Sequence, residues 1–462
     1  RKRRQVAVLQ ILDLPFTAMP WFTEKSPQIT PERMEALVAR TVEECRNRIC
    51  KVPKSVLLLP PDITRMHSGA GRITELLYNE FADEADVRVI PTLGQHVPHT
   101  AEENERMFGS IPNERIHAHD WRGGVVKVGE IPVEVVQESC GSIVDWPIPI
   151  TLNRMLMEEP WDLIINVGHI VPHEVLGFAN HNKNYFIGLG GKDLICAAHM
   201  MAAACGIENN LGNIVTPVRH CFNWAEEKFL ARLPDVYFQV VMARSHKDQL
   251  VHTGVYVGDD LETYLQAALQ SREQNITTFE EPPRKVVCVM QGDEFFSTWV
   301  ANKAIYRTRM AIADGGELVI IAPGLKRFGE QPEVDALIRK YGYCGTANVM
   351  DQYRKNEDML DLAHATAHLI HGSSEGRFQI TYAPGDLTEE EIQQVGYRYM
   401  DIGEAIQTYK PQHRRQGWNM TEDGEKFYFI PTPSAGLWST REKLNNRLYE
   451  FARRTFNKYK TL

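Results

Sequence analysis

Short apolar runs ending at Pro, Gly or Asn alternate along the chain with longer segments in which apolar positions recur every three or four residues. The short runs read as strands and the longer segments as amphipathic helices. Their alternation predicts an α/β fold of mostly parallel sheets, with helices covering both faces. Strands are expected at residues 6–11, 55–59, 87–90, 163–167, 286–290, 318–321 and 378–382. Three helix starts are marked. Thr30-Pro31-Glu32 puts a capping hydroxyl before a proline at the first helical position, and Thr100-x-x-Glu103 and Thr388-x-x-Glu391 match the capping box. Residues 275–284, ending in Glu281-Pro282-Pro283-Arg284, break the pattern before a new strand. Two α/β domains follow, 1–280 and 281–425, with the active site expected in the cleft between them. The segment 426–462, holding the strand-like Phe427-Tyr428-Phe429-Ile430 and a basic amphipathic helix, is open to either domain.

Composition narrows the function classes. The 462 residues exceed what one core usually supports, about 250–300 residues, so two domains also follow from size. With 43% apolar and 24% charged residues the chain does not read as disordered. Its net charge of −9 supplies no basic field for nucleic acid. No apolar run nears the roughly 18 residues that span a bilayer, and Arg1 to Arg4 precede no signal-type core, so a soluble, unexported chain is expected, with no membrane partner. Eight cysteines without a Cys-x-x-Cys pair suit a reducing cytoplasm better than a disulfide framework. Of the 16 histidines, eight lie between His96 and His199.

In doubly wound sheets ligands bind outside the carboxyl ends of strands, so the loops there carry the argument. Four hold chemistry-capable groups: Asp62 and Arg65 after the strand at 55–59, His96 in Gly94-Gln95-His96 after 87–90, His173 after 163–167, and Gln291 to Glu294 after 286–290. An Asp after a strand usually caps a helix, but histidines in Gly/Pro-bounded loops are less natural as core groups. His99, His117, His119, His169 and His181 read as surface or supporting groups, with His119 and Asp120 as an orienting pair. Lys183, among asparagines and glycines, has three readings: a solvated loop residue, a phosphate binder beside a Gly-rich turn, or a covalent amine. Composition alone favours the first. His364, His368 and His371 share one helix face at metal-compatible spacing, although their apolar neighbours read as a packed helix.

Taken in order and spacing, Asp62-x-x-Arg65, Gly94-x-His96, Pro172-His173, Lys183 and His199 resemble the lactate racemase family, over about residues 55–400 and including Pro149-Ile150-Thr151-Leu152-Asn153. The resemblance implies a racemase or epimerase that inverts C2 of a 2-hydroxy acid by removal and return of hydride. It implies a nickel-pincer nucleotide (pyridinium-3-thioamide-5-thiocarboxylic acid mononucleotide) joined covalently to Lys183, with His199 as the protein ligand to nickel. His96 and His173 become the acid/base pair, one on each substrate face; Arg65 and Lys303 hold negative charge, and Asp62 orients a neighbour. Partners would be the small hydroxy acid and the enzymes that make and deliver the cofactor, and a homo-oligomer is compatible with this reading.

Two departures bear on substrate. Lactate-specific members are expected to carry Tyr-Gln-x-x-Lys where this chain has Trp299-Val300-Ala301-Asn302-Lys303, and a Gly-rich stretch where it has Ala179-Asn180-His181-Asn182, which adds hydrogen-bonding capacity near the site. Both favour a larger acid, with a polyhydroxylated aldonate ahead of an aliphatic or aromatic one. The rival enzyme is a nicotinamide-dependent 2-hydroxy acid dehydrogenase, against which no Gly-x-Gly-x-x-Gly turn follows an early strand. A non-catalytic hydroxy-acid-binding protein is the rival of another class, and simple binding needs no covalent lysine.

Overall fold

The computed structural model describes residues 20–245, 249–292 and 294–444. The expected strand at 6–11, the basic helix at the C-terminal end and Asp293 lie outside the described residues. The described chain forms two compact units, one of residues 20–198 and 214–275, the other of residues 199–213 and 276–444.

The first unit contains β1 (Phe22–Lys25), β2 (Ser55–Leu59), β3 (Asp86–Val89), β4 (Val125–Ile131), β5 (Ile148–Asn153), β6 (Leu163–His169), β7 (Pro172–His173), β8 (Gly177–Phe178), β9 (Asp235–Arg244) and β10 (Leu250–Gly258). Its main sheet has the order β1-β10-β9-β6-β2-β3, parallel from β9 to β3 and antiparallel at β10 and β1. β4–β5 and β7–β8 form small antiparallel pairs beside it. Val56, Leu58, Val87, Val89, Ile165 and Val167 share one core with the helices Pro31–Ile49 and Ala70–Phe81. Parallel strands covered on both faces need apolar side chains on both, which is why Ser-Val-Leu-Leu-Leu shows no alternation. The antiparallel pair β9–β10 was not expected. It joins through a short connection rather than a crossover helix, so it escapes a search for alternating strand and helix.

The second unit contains β11 (Ile276–Phe279), β12 (Lys285–Val289), β13 (Gly316–Ala322), β14 (Phe378–Pro384), β15 (Arg398–Tyr399), β16 (Gly417–Met420), β17 (Lys426–Ile430) and β18 (Leu437–Thr440). Its sheet runs β15-β14-β13-β12-β17-β16, parallel except at β16, and β11 pairs with β18 in a separate parallel ribbon. Residues 276–279 and 426–440 therefore stay in the second unit. Phe427 and Phe429 are buried in its core and β17 is an inner strand beside β12, so residues 426–440 belong to this sheet.

All three marked helix starts carry their caps. Thr30 accepts from the Arg33 N–H, and Thr100–Glu103 and Thr388–Glu391 form reciprocal capping boxes. Thr388→Ala removes one such box and is expected to lower unfolding stability by about 1 kcal/mol in denaturant titrations followed by circular dichroism; an unchanged midpoint would show the cap is idle.

Candidate active site at the sheet switch point

Strand order reverses between β2 and β6: β3 lies outside β2, and β9 lies outside β6. In doubly wound sheets the loops leaving the carboxyl ends of such neighbouring strands diverge and leave a crevice for ligand. The chain leaves β2 through Pro60 and Pro61, and Asp62 caps the 3-10 helix Ile63–Ser68 by accepting from the Thr64 N–H at 3.1 Å. The buried Asp62 carboxylate also accepts from the Thr64 hydroxyl and pairs with His96 Nδ1. Burial pushes the Asp62 carboxyl up, but the His96 hydrogen bond and charge, Thr64 and Lys183 together hold it below its usual range. An ionised Asp62 keeps a proton on His96 Nδ1 and leaves Nε2 outside the pair. The His96 side chain is 61% exposed, so this basic nitrogen is on an open ring.

His96 is placed by Gly94, whose φ of +58° is left-handed and whose N–H donates to the Gly188 carbonyl at 2.9 Å. A Cβ there would lie 3.1 Å from the Ile187 carbonyl oxygen, and one on Gly188 would lie 2.5 Å from Thr92 Cβ. These glycines let two backbones touch. The loop holding His96 thus rests on the turn that follows Lys183. His99 fastens the same loop to the 3-10 helix: its Nε2 accepts from the Ile63 N–H at 2.8 Å and its Nδ1–H donates to Asn104 at 3.1 Å.

Lys183 precedes the wide turn Asn184–Gly188 and follows Asn180 and His181, both left-handed. It is partly buried and makes no hydrogen bond or ion pair among the described residues. Burial lowers its pKa from 10.5 to about 8; Arg65 and Arg219 lower it as well, while Asp62 and Glu174 oppose them. At pH 7.4 that makes about a fifth of the amine neutral, against roughly one part in a thousand for an ordinary lysine. Arg65 is also without a side-chain partner among the described residues. Sequence reading passed over Glu174 as a charge acting on Lys183, although its position beside His173 could have suggested it.

The asparagines around Lys183 face inward. Asn182 donates to Asn223 at 2.7 Å and to Glu226 at 2.8 Å, and its carbonyl oxygen accepts from Arg219; Asn184 donates to Asn166 and Asn180. Arg219, 1% exposed, also donates to the Phe178 carbonyl at 2.6 Å. Within Ala179 to Asn182 the Asn182 side chain is therefore used by the scaffold, while Asn180 Nδ2 and both His181 ring nitrogens have no partner among the described residues. Nothing in the sequence near Lys183 points to Arg219, about 40 positions downstream.

His173 ends β7, and its Nδ1 accepts from the Val175 N–H at 3.2 Å, which puts the proton of the neutral ring on Nε2. His119 is not paired with Asp120. It accepts from Asn153 and donates to the Gly190 carbonyl, both at 3.0 Å, whereas Asp120 caps the N–H groups of Arg122 and Gly123. His199, half-buried on the helix Lys192–Ala204, groups with the second unit, as does exposed Lys303 at the start of the helix Lys303–Thr308. The structure thus gathers Asp62, Arg65, His96 and Lys183 within the first unit. His368 is held by Tyr306 at Nδ1 and Tyr343 at Nε2, and burial lowers its pKa to about 3; among the described residues this helix face brings no three metal-ligating groups together.

Comparison with known proteins gives the same direction. Residues 24–210 match the lactate racemase N-terminal domain. A structural-genomics protein of Thermotoga maritima superposes with a TM-score of 0.72 at 25% identity, covering 90% of this chain and all of that one. The lactate racemase apoprotein of Thermoanaerobacterium thermosaccharolyticum superposes with a TM-score of 0.67 at 17% identity, covering 92% and 96%. No curated protein matches the sequence.

The depressed pKa of Lys183 can be read directly. Its acylation rate, followed by peptide mass spectrometry, should reach half-maximum near pH 8, and Arg65→Gln should move that midpoint upward. A midpoint near 10.5 would contradict the electrostatics.

Proposed function

We propose, for a chain whose N-terminal domain belongs to the lactate racemase family, that it is an isomerase inverting C2 of a 2-hydroxy acid larger than lactate, an aldonate being the best fit. The observation that carries the reading is the meeting of an unpartnered, pKa-lowered Lys183 with an Asp62-oriented His96 at one strand crossover. Simple binding requires neither.

The family uses a nickel cofactor, and the residues here suit one. Among the described residues no three His, Cys, Asp or Glu side chains converge to hold a metal, so a nickel ion would need donors from a bound organic group. Lys183 would hold that group covalently through its partly neutral amine, and His199 would add one imidazole to the nickel. When bound, a nickel-pincer nucleotide supplies the hydride acceptor and donor for C2.

The remaining steps belong to side chains. Arg65, whose side chain has no partner among the described residues, would take the substrate carboxylate, with Lys303 as a second cation. His96 Nε2 would accept the 2-hydroxyl proton, and Asp62 would stabilise the imidazolium that results. His173 would serve the opposite face. With Val175 bonded to Nδ1 its neutral ring carries the proton on Nε2, so acting as a base there requires that weak contact to open. The two histidines are therefore in complementary tautomers, one poised to accept and the other to donate a hydrogen bond.

Turnover of single-enantiomer acids in deuterated solvent tests the reading. The cofactor-loaded protein should epimerise an aldonate with the C2 hydrogen retained; deuterium at C2 would contradict hydride return, and turnover of lactate alone would sink the substrate assignment. His96→Ala and His173→Ala should each lower kcat by about 10²–10⁴-fold while the Lys183 adduct persists, and loss of the adduct in these variants would overturn the roles.

A further inference from the structure

Several buried or half-buried imidazoles among the described residues are paired. His99, His119 and His368 use both ring nitrogens, and His252 donates to the Ser68 carbonyl at 2.8 Å. His169 differs: it is 7% exposed and neither nitrogen has a partner among the described residues. His181 is also unpaired, but its ring stacks on Tyr237 at 4.0 Å, which accounts for its place. His169 has no such stacking partner; His67 meets it edge-on at 6.2 Å.

Position makes the anomaly informative. Leu163, Ile165 and Val167 put their side chains into the core on one face of β6, and His169 continues that face at the carboxyl end of the strand. There it lies beside the segment carrying Arg65 and His67, both of whose charges act on it. Burial first, then Arg65, His67 and His252, hold its pKa well below the usual imidazole range. It is thus a neutral ring with one donor and one acceptor, both unmet. A second unmet group lies on the loop that carries His96: the Nε2 atom of the adjacent Gln95, buried and without a partner among the described residues. Unpaired buried polar groups are costly, and at the end of a strand beside the acid/base loop a ligand group that meets them removes that cost.

The chemistry of that partner follows. An aliphatic or aromatic substituent satisfies none of these atoms. A carboxylate only accepts, and Arg65 already offers it a better partner. A hydroxyl both donates and accepts, so it can meet the Gln95 amide and either nitrogen of His169.

We propose that Gln95 and His169 are specificity-determining residues that hydrogen-bond hydroxyl groups carried by the substrate beyond C2. The inference rests on the isomerase reading and deepens it: selection for a polyhydroxylated acid comes from two groups flanking the acid/base loop, not from the asparagines around Lys183.

The test compares cofactor-loaded wild type, His169→Leu and Gln95→Leu with gluconate and lactate, measuring KM for turnover and, by calorimetry, binding. Each variant is expected to lower the gluconate-to-lactate affinity ratio roughly tenfold, the equivalent of about 1.4 kcal/mol. His169→Asn, which keeps a donor and an acceptor, should recover part of the ratio. Thermal unfolding should not fall in His169→Leu, because no protein hydrogen bond is lost. Wild-type turnover with the same ratio in every variant overturns this inference and leaves the isomerase reading standing. A lower unfolding temperature with an unchanged ratio also overturns it, by making His169 a packing residue. Wild type that neither binds nor turns over gluconate removes the polyhydroxy-acid reading itself.

Discussion

The site depends on one close approach, the Gly94 N–H to the Gly188 carbonyl at 2.9 Å. That bond lets a loop after β3 rest on the turn after Lys183, which is distant in sequence and supported by different side chains. Neither glycine tolerates a Cβ without displacing its neighbour's backbone or the Thr92 side chain. Everything else is arranged around this seam. The first loop carries His96 to Asp62, and the second presents an amine with no hydrogen bond or ion pair among the described residues.

Electrostatics then separates the roles of groups that look alike in sequence. Asp62 is buried yet stays ionised because hydrogen bonds outweigh desolvation. Lys183 loses the same contest, since burial and Arg65 outweigh Asp62 and Glu174. One crevice thus holds a carboxylate that orients an imidazole and an amine that is partly neutral near physiological pH. The supporting shell is equally specific. Arg219 fixes the backbone at Phe178 and the side chain of Asn182, so the Lys183 turn rests on a buried guanidinium rather than on solvent-facing contacts.

Much of this was legible in the sequence because the signals are local. Strand ends, Gly/Pro-bounded loops and capping threonines act over a few residues, and Ser55–Leu59 and the Thr100 and Thr388 boxes stand where periodicity and cap chemistry put them. What failed was non-local. His119 and Asp120 are neighbours in sequence, yet the ring turns to Asn153 and Gly190. The asparagines near Lys183 suggested substrate contacts, but their partners come from Arg219, Asn223 and Glu226 on a later segment. The pairing of Ile276–Phe279 with β18, more than 150 positions away, is likewise encoded by no local pattern.

The central claim is that Lys183 is the covalent anchor of this crevice. Intact-protein and peptide mass spectrometry, with nickel quantified on the same sample, should find an adduct at Lys183 when the chain is produced together with the enzymes that make the cofactor. Lys183→Ala should lack it. A protein that isomerises its acid with Lys183 unmodified would contradict the account.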